Sequence, residues 1–285
     1  MSAGITRQLP PYLRPDRLED ALALLAAEPR LVLAGGTDVY PAYTSRPIDR
    51  PVLDITGLPG LRGVTEDDTA WRIPALTTWT NLAETALPPE FDGLRAAART
   101  IGGRQIQNAG TVCGNVVNAS PAADGMPSLL ALDAEVELAS AAGRRVVPLA
   151  AFVLGNRVTD LRPDELVTGL RVPRISGTAR STFAKLGSRA YLVISIVAVA
   201  VVVVVEDGAI ADARVAVGAC SPVAQRLPAL EAALIGRPAD ASLAGVVAPE
   251  HLAGLAPLDD VRGTAAYRED AALTVVRRAI AEVGA

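Results

Sequence analysis

Apolar positions recur at helical spacing in several segments of the chain. The segment Arg17–Pro29 carries them on one helix face and ends at a proline, so a helix is predicted there. The segment 267–283 shows the same periodicity with charged residues between its apolar positions, and predicts a C-terminal amphipathic helix. Two further helices are predicted, at 89–102 and 226–236.

Short apolar runs bounded by turn residues predict strands between these helices. One strand precedes the Gly-Gly turn of segment 30–43, and another, in 51–64, closes a small α/β unit. Segment 69–84 predicts a strand that leads into a helix started by Thr80 or Asn81. After a predicted helical turn, two strands flank Ala142–Gly143, and a further strand in 164–173 is stopped by its terminal proline.

The most apolar run, Leu192–Val205, has fourteen residues and consists largely of valine and isoleucine. It is shorter than the roughly 20 residues that span a bilayer. The turn residues Glu206–Gly208 follow it, and a second strand-like segment comes next. We therefore predict a β-hairpin in a sheet buried on both faces, with no membrane insertion.

The 285 residues include 50% hydrophobic but only 4% aromatic residues, so alanine, valine and leucine must fill the core. The element order predicts an α+β protein of three compact units, the third beginning near a polar, glycine-containing join at 174–189. A net charge of −4 without a basic run argues against nucleic-acid binding. The N-terminal segment has no signal-peptide pattern, and we expect a cytoplasmic protein.

Side chains suited to acid–base or metal chemistry are scarce. Two cysteines, Cys113 and Cys220, can form neither a disulfide framework nor an iron–sulfur site by themselves. The single histidine, His251, excludes a histidine-rich metal site and most histidine-based triads. If the chain is an enzyme, we expect a bound organic cofactor to supply its chemistry.

Two glycine-rich loops, Leu33–Pro41 and Ile101–Asn115, are the candidate cofactor site. Glycines allow positive φ and bring backbone N–H groups close to a ligand, and successive N–H groups suit phosphate oxygens. Thr37 and Thr111 add hydroxyl groups. Either loop alone is also compatible with an ordinary tight turn. Neither matches the dinucleotide fingerprint G-x-G-x-x-G or the phosphate-binding loop that ends in Gly-Lys-Ser/Thr.

Taken together, the loops resemble those of the FAD-binding medium subunit of the molybdenum hydroxylases. This group includes xanthine dehydrogenase and aerobic carbon monoxide dehydrogenase. The resemblance covers essentially the whole chain and rests on these motifs in order: AGGTD, NAGTVCGN with NASPAAD, PDELVTGLRVP, FAKLGSR and DARVAVGACSPVAQR.

The resemblance implies an FAD-binding domain over residues 1–176, of the two-subdomain vanillyl-alcohol-oxidase (PCMH) type. Its subdomains would cover about 1–57 and 58–176. It also implies a separate C-terminal α/β domain of the CO dehydrogenase flavoprotein type over residues 177–285.

The resemblance also implies a set of FAD-binding residues. The first loop would wrap the pyrophosphate, Thr111, Gly114 and Asn115 would approach it from the other side, and Asp124 would contact the flavin portion. The implied residues are Leu33, Ala34, Gly35, Gly36, Thr37, Asp38, Val39, Ile101, Gly110, Thr111, Gly114, Asn115, Ser120, Asp124, Leu166, Val167 and Lys185.

Other roles stay open for some of these residues. Ser120 and Asn118 are equally suited to capping local turns. Asp124 also stands where it could cap a following helix. Leu166 and Val167 belong to the strand that the resemblance places near the flavin ring.

Lys185 is the only lysine among 27 basic residues. A chain so biased towards arginine would replace a lysine that served merely as a surface charge, and the two cations differ in shape and hydration. In FAKLGSR it matches a flavin-proximal lysine of the family. The alternative is a surface lysine that survives by chance.

Cys113 departs from the family, which usually has glycine at this position. A residue with a side chain is strained at positive φ. The backbone here must therefore have negative φ, or else the loop has shifted. A small apolar substitute is the simpler interpretation of the cysteine.

The resemblance predicts an FAD-carrying electron-transfer subunit. A small partner subunit would hold two [2Fe–2S] clusters, and a large one the molybdenum cofactor. The acceptor would be NAD⁺, O₂ or a quinone, and the assembly a dimer of heterotrimers. No side chain is expected to be catalytic or to bind a metal. Two alternatives are a self-contained flavin-dependent reductase of this fold and a scaffold that has lost its flavin, with Cys113 as the lesion.

Overall fold

The computed structural model describes residues 10–285, which form three main sheets with helices packed between and outside them. The strands are β1 (Tyr12–Leu13), β2 (Leu31–Leu33), β3 (Val52–Asp54), β4 (Thr65–Glu66), β5 (Ala70–Pro74), β6 (Glu135–Ser140), β7 (Gly143–Pro148), β8 (Val153–Gly155), β9 (Val158–Thr159), β10 (Leu166–Pro173), β11 (Thr178–Leu186), β12 (Val197–Glu206), β13 (Ala209–Gly218) and β14 (Gln225–Arg226). The α-helices are α1 (Leu18–Ala27), α2 (Val39–Ala42), α3 (Trp79–Glu84), α4 (Asp92–Thr100), α5 (Arg104–Ala109), α6 (Val112–Asn118), α7 (Gly125–Ala131), α8 (Leu149–Phe152), α9 (Pro228–Leu234) and α10 (Ala265–Gly284).

The first sheet is parallel, with the strand order β1-β3-β2. Helix α1 buries Leu22 and Leu25 in a cluster that also contains Leu53 of β3. Ala139 of β6 and Leu166 of β10 belong to the same cluster. The small parallel sheet is therefore packed onto the next sheet, and the end of β2 is held close to it.

The second sheet has the order β4-β5-β10-β6-β7, and all of its neighbouring strands are antiparallel. Its central strand β10 is buried on both faces over most of its length. Helices α3, α4, α6 and α7 contribute to the large core cluster beside it, in which Trp79, Phe91 and Phe152 are fully buried. Val112, Cys113 and Val116 place α6 in this core, which fixes the position of a helix that carries part of the second glycine loop.

The third sheet, β11-β12-β13-β14, confirms the predicted valine-rich hairpin. Asp207 and Gly208 form its two-residue turn with φ of +49° and +78°, as a type I′ turn requires. Val199 and Val201 of β12 enter a cluster with α10, whereas Ala200 and Val202 enter the central core. Alternate residues thus serve two cores, which is why the strand has no polar face.

Two predicted boundaries are wrong. The helix in 69–84 begins at Trp79, because Thr78 caps it: the Thr78 hydroxyl accepts from the Asn81 N–H and the Asn81 side chain accepts from the Thr78 N–H. The polar join at 174–189 contains the nine-residue strand β11. The predicted domain division at 176/177 falls between β10 and β11 and stays a prediction.

No helix within residues 10–285 combines the length and the apolar character needed to cross a bilayer. The most apolar segment of the chain forms β12, and its first residues, Leu192–Ile196, precede that strand.

Candidate cofactor site

A cavity of about 530 Å³ lies where the first glycine loop faces the second sheet and its helices. Most of the residues implied by the resemblance line it, namely Ala34, Gly35, Gly36, Thr37, Asp38, Val39, Ile101, Gly110, Thr111, Gly114, Asn115, Leu166 and Val167. The exceptions are Leu33, Ser120, Asp124 and Lys185. Leu33 is a buried residue of β2 and supports the loop from behind.

The first loop turns sharply after β2 and leaves its backbone amides free. Gly36 has φ of +70°, which glycine adopts without strain, and a Cβ on it would lie 2.5 Å from the Tyr40 ring. Within residues 10–285, no hydrogen bond is donated by the N–H groups of Gly35, Gly36, Thr37 and Asp38. Free successive amides at a cavity wall are suited to anionic oxygens.

The second loop is largely helical, which corrects the predicted open loop. Helix α5 ends at Ala109, and α6 begins directly after Thr111, whose hydroxyl accepts a hydrogen bond from the Gly114 N–H at 3.0 Å. The Thr111 hydroxyl therefore caps a helix. The Gly110 carbonyl accepts from the Trp79 N–H at 3.1 Å, and the Val112 N–H donates to Thr77 at 3.0 Å. These bonds fix the segment between the two helices against α3.

The two loops touch each other through glycines. A Cβ on Gly35 would lie 2.0 Å from the carbonyl oxygen of Ala109, and one on Gly110 would lie 3.2 Å from the Thr37 hydroxyl oxygen. The first of these distances is far below a van der Waals contact. The Cβ would be fixed to the Gly35 backbone and the oxygen belongs to the Ala109 backbone, so neither atom could turn away. The two loops that were predicted to form one site are therefore in contact, and a glycine at position 35 is required for this contact.

Asn115 and Trp79 form the end of the cavity near α7. The Asn115 side-chain oxygen is buried and has no hydrogen-bond partner within residues 10–285. It lies close to Gly125, where a Cβ would also meet the Trp79 ring at 2.5 Å. Trp79 was not among the site residues predicted from the sequence. As one of only two tryptophans in a chain poor in aromatic residues, it was a signal that could have been used.

Cys113 is a packing residue in α6. It lies inside the helix, has no positive φ, and is 2% exposed. Its thiol donates to the Ile73 carbonyl at 3.6 Å, and burial raises its pKa to about 12. Glycine is not needed at this position, and the cysteine does not distort the loop. The structure thus favours the prediction of a small apolar substitute.

We expect both cysteines to be unreactive in the native protein. Burial also raises the pKa of Cys220 to about 11, and the thiolate is the nucleophilic form of a cysteine. Titration with a disulfide reagent at pH 8 should give no thiol before unfolding and two thiols per chain in guanidinium chloride. Rapid reaction of a thiol in the folded chain would show that the segment around that cysteine opens, α6 in the case of Cys113.

The wall opposite the first loop is formed by Leu166 and Val167, which are buried at the start of β10. Glu165 precedes them and accepts two hydrogen bonds from Arg145, at 2.6 and 2.7 Å, and one from the Arg162 N–H at 2.9 Å. The bonds from Arg145 lower the pKa of Glu165 and outweigh the opposing effect of burial. This pair anchors the beginning of β10 against β7.

The Glu165 interaction should make stability depend on acid pH. Because its pKa is lower in the folded state, the stabilisation is complete above the unfolded-state pKa and is lost as the pH falls through the folded-state value. We expect Glu165→Gln to reduce the free energy of unfolding by about 2 kcal/mol at pH 7. Urea unfolding between pH 7 and 3 should show a smaller decline for the variant than for the wild type. Parallel declines would contradict the assignment.

Asp124 and Lys185 pair with each other beside the cavity, and neither lines it. The Lys185 Nζ donates to Asp124 at 2.6 Å and to the Val193 carbonyl at 2.9 Å, and the Ser195 hydroxyl donates to the other Asp124 oxygen. Both charged side chains are about nine-tenths buried. Asp124 stands at the N-cap position of α7, but its carboxylate makes no capping hydrogen bond, so the alternative of a capping role is not supported. Lys185 is no surface residue.

A second cavity, of about 440 Å³, lies beside β11. Lys185, Phe183 and Arg189 line it together with Thr100, whose neighbour Ile101 lines the first cavity. Consecutive residues at the end of α4 thus line the two cavities. Ser120 lies outside both, and its hydroxyl accepts from the Ala122 N–H at 3.4 Å, which is a local turn bond.

Family models match nearly the whole chain. Residues 5–175 match the FAD binding domain in molybdopterin dehydrogenase, and residues 182–283 match the CO dehydrogenase flavoprotein C-terminal domain. The chain belongs to the FAD-binding medium subunits of the molybdenum hydroxylases. It is a subunit of an oxidoreductase, and the predicted α+β fold with two such domains is confirmed.

Known medium subunits align with this one from end to end. It is 32% identical to the nicotine 6-hydroxylase medium subunit of Paenarthrobacter nicotinovorans, over 96% of this chain and 97% of that protein. It is 28% identical to the carbon monoxide dehydrogenase medium chain of Hydrogenophaga pseudoflava, over 94% and 95%. Among solved structures it resembles the reconstituted CO dehydrogenase from Oligotropha carboxidovorans, with a TM-score of 0.87, 28% identity, and coverage of 97% and 99%.

The residues of this medium subunit fit an FAD molecule. The free amides of Gly35, Gly36 and Thr37 offer hydrogen-bond donors to a pyrophosphate. These two glycines of the first loop carry no side chain that could block access to the amides. Apolar Ile101 and Val167 line the same cavity and suit a flat ring system. The donor set and the shape agree with the family assignment.

Proposed function

We propose that the chain carries FAD in this cavity and transfers electrons within a molybdenum hydroxylase complex. In this proposal it receives electrons from the [2Fe–2S] clusters of a partner subunit and delivers them to NAD⁺, O₂ or a quinone. The observation that supports it most is the meeting of the two loops at Gly35 and Ala109, with free amides beside them. FAD would supply the ability to hold one or two electrons; the chain binds and orients it.

We propose the following arrangement along the cavity. The amides of Gly35–Asp38 bind the pyrophosphate, with Thr111, Gly114 and Asn115 on the opposite side. Leu166, Val167 and Ile101 pack against the flavin ring. This orientation places the ring at the part of the cavity that Ile101 lines, and the residue before it, Thr100, lines the second cavity together with Lys185.

We further propose that the subunit assembles with a small [2Fe–2S] subunit and a large molybdopterin subunit, as a dimer of heterotrimers. Assembly with other subunits is supported by the names of relatives, two of which are a medium subunit or chain and a third a subunit of a dehydrogenase complex.

The test is the visible spectrum of the purified full-length chain, followed by analysis of what heat releases from it. We expect a flavin spectrum and about one FAD per chain, or stoichiometric uptake when the chain is incubated with FAD. A protein that stays colourless with excess FAD would exclude the proposed role and favour a scaffold. Steady oxidation of NADPH by the isolated chain would favour a self-contained reductase.

A further inference from the structure

Arg157 connects two walls of the first cavity from outside. It lies at the turn between β8 and β9, and its Nη1 donates to the Asp38 carboxylate at 2.9 Å and to the Asn118 side-chain oxygen. Asp38 belongs to the first glycine loop and Asn118 ends α6, and both line the cavity. A single guanidinium nitrogen therefore joins segments about 80 residues apart in sequence.

The backbone at this place is held in an unfavourable conformation. Arg157 has φ of +57°, and its N–H donates at 2.9 Å to the carbonyl of Ala119, whose φ is +46°. Both ends of this hydrogen bond are thus non-glycine residues in the left-handed region, which side chains disfavour. Such strain persists where the surrounding structure over-determines it, and it is concentrated at functional sites.

The charge of Arg157 also matters for an anionic ligand. Asp38 places a carboxylate at the cavity wall next to the free amides of the first loop. A pyrophosphate bound to those amides would be repelled by an uncompensated carboxylate. The Arg157–Asp38 ion pair is more than half exposed on both sides, so solvent and salt reach it.

We propose that Arg157 is a positioning residue for FAD: it clasps Asp38 and Asn118 together and neutralises Asp38 beside the pyrophosphate. Arg157 does not line the cavity, so it acts through these two residues. The inference rests on the proposed function, because it concerns retention of FAD in the same cavity.

Arg157→Asn tests the clasp, since asparagine tolerates the left-handed turn but removes the guanidinium. The full-length variant is loaded with FAD, and release is followed after dilution by the rise in flavin fluorescence. We expect release about fivefold faster than from the wild type. Salt should accelerate release from the wild type but not from the variant. Arg157→Lys, which keeps the charge but loses the planar fork, should lie between them.

Three comparisons separate a positioning role from a structural role. The double variant Arg157→Asn with Asp38→Asn should release FAD no faster than Arg157→Asn alone, because both substitutions break the same ion pair. The FAD-free Arg157→Asn chain should unfold at the same denaturant concentration as the FAD-free wild type, or at a higher one. Arg144→Asn removes one exposed arginine from β7, away from the cavity, and should release FAD at the wild-type rate.

The outcomes distinguish this inference from the proposed function. If Arg157→Asn releases FAD at the wild-type rate, the proposed positioning role is wrong. It is also wrong if the FAD-free variant loses as much stability as the faster release of FAD corresponds to. Either result would leave the proposed binding of FAD intact. A wild-type chain that takes up no FAD would overturn the proposed function and the clasp together.

Discussion

Gly35→Ala is expected to abolish the retention of FAD. The new Cβ would be placed 2.0 Å from the Ala109 carbonyl oxygen. Because the Cβ is fixed to the Gly35 backbone and the oxygen belongs to the Ala109 backbone, one of the two loops must move. That movement separates the amides of the first loop from the residues that precede α6. We expect FAD affinity to fall at least about 100-fold, which corresponds to about 3 kcal/mol and is within the range for overpacking a tight contact. Equilibrium titration of FAD fluorescence measures the affinity.

Gly245→Ala is the matched control. Gly245 lies in the short 3-10 helix Ala241–Val246, and a Cβ there has no neighbour within 4 Å. The same chemical change in open space should leave FAD affinity at the wild-type value. Full FAD affinity in Gly35→Ala would show that the cofactor does not depend on the meeting of the two loops.

The sequence predicted most of the sheets because their hydrophobic patterns are local. The valine run of β12 and the turn at Asp207–Gly208 specify a hairpin without knowledge of the rest of the chain. The second glycine loop was predicted less well. Its glycines and asparagines have low helix propensity, but burial of Val112 and Val116 and the Thr111 cap make α6 helical.

Strand β11 was missed for a similar reason. Its polar residues suggested a join, yet the Ser181 hydroxyl donates to the Pro89 carbonyl at 2.7 Å and accepts from the Gly93 N–H at 2.9 Å. These partners lie about 90 residues earlier in the chain. Polar side chains in a strand are explained here by hydrogen bonds to a neighbouring segment, and no local pattern reveals them.

The candidate site shows the same division. The glycines of the first loop could be predicted because their need for positive φ or close approach limits the residue type. Arg157 could not, because an exposed arginine is common in this chain and its partners come from two distant segments. Lys185 was found only because its residue type is unique in the chain. Its actual partner, Asp124, was predicted as a flavin contact and not as its ion pair.

Lys185→Met is expected to destabilise the chain by about 3 to 5 kcal/mol, the range for breaking a buried ion pair. The substitution leaves the Asp124 carboxylate with the Ser195 hydroxyl but without a counter-charge, and it frees the Val193 carbonyl. Guanidinium chloride unfolding of the FAD-free chain measures the change. Arg104→Met is the control, because the Arg104–Glu84 pair is about two-thirds exposed and should contribute little.

The double variant Asp124→Asn with Lys185→Met decides whether the uncompensated charge is the cause. It leaves no charge buried alone, so most of the lost stability should return, and the two substitutions should be strongly non-additive. If the double variant is as unstable as Lys185→Met, packing of the lysine stem and not its charge holds the segment that contains Val193 and Ser195. FAD affinity of the double variant then gives independent information. A recovered fold with weakened FAD binding would support contact between this pair and the flavin portion, whereas normal binding would make the pair a purely structural link between α7 and β11.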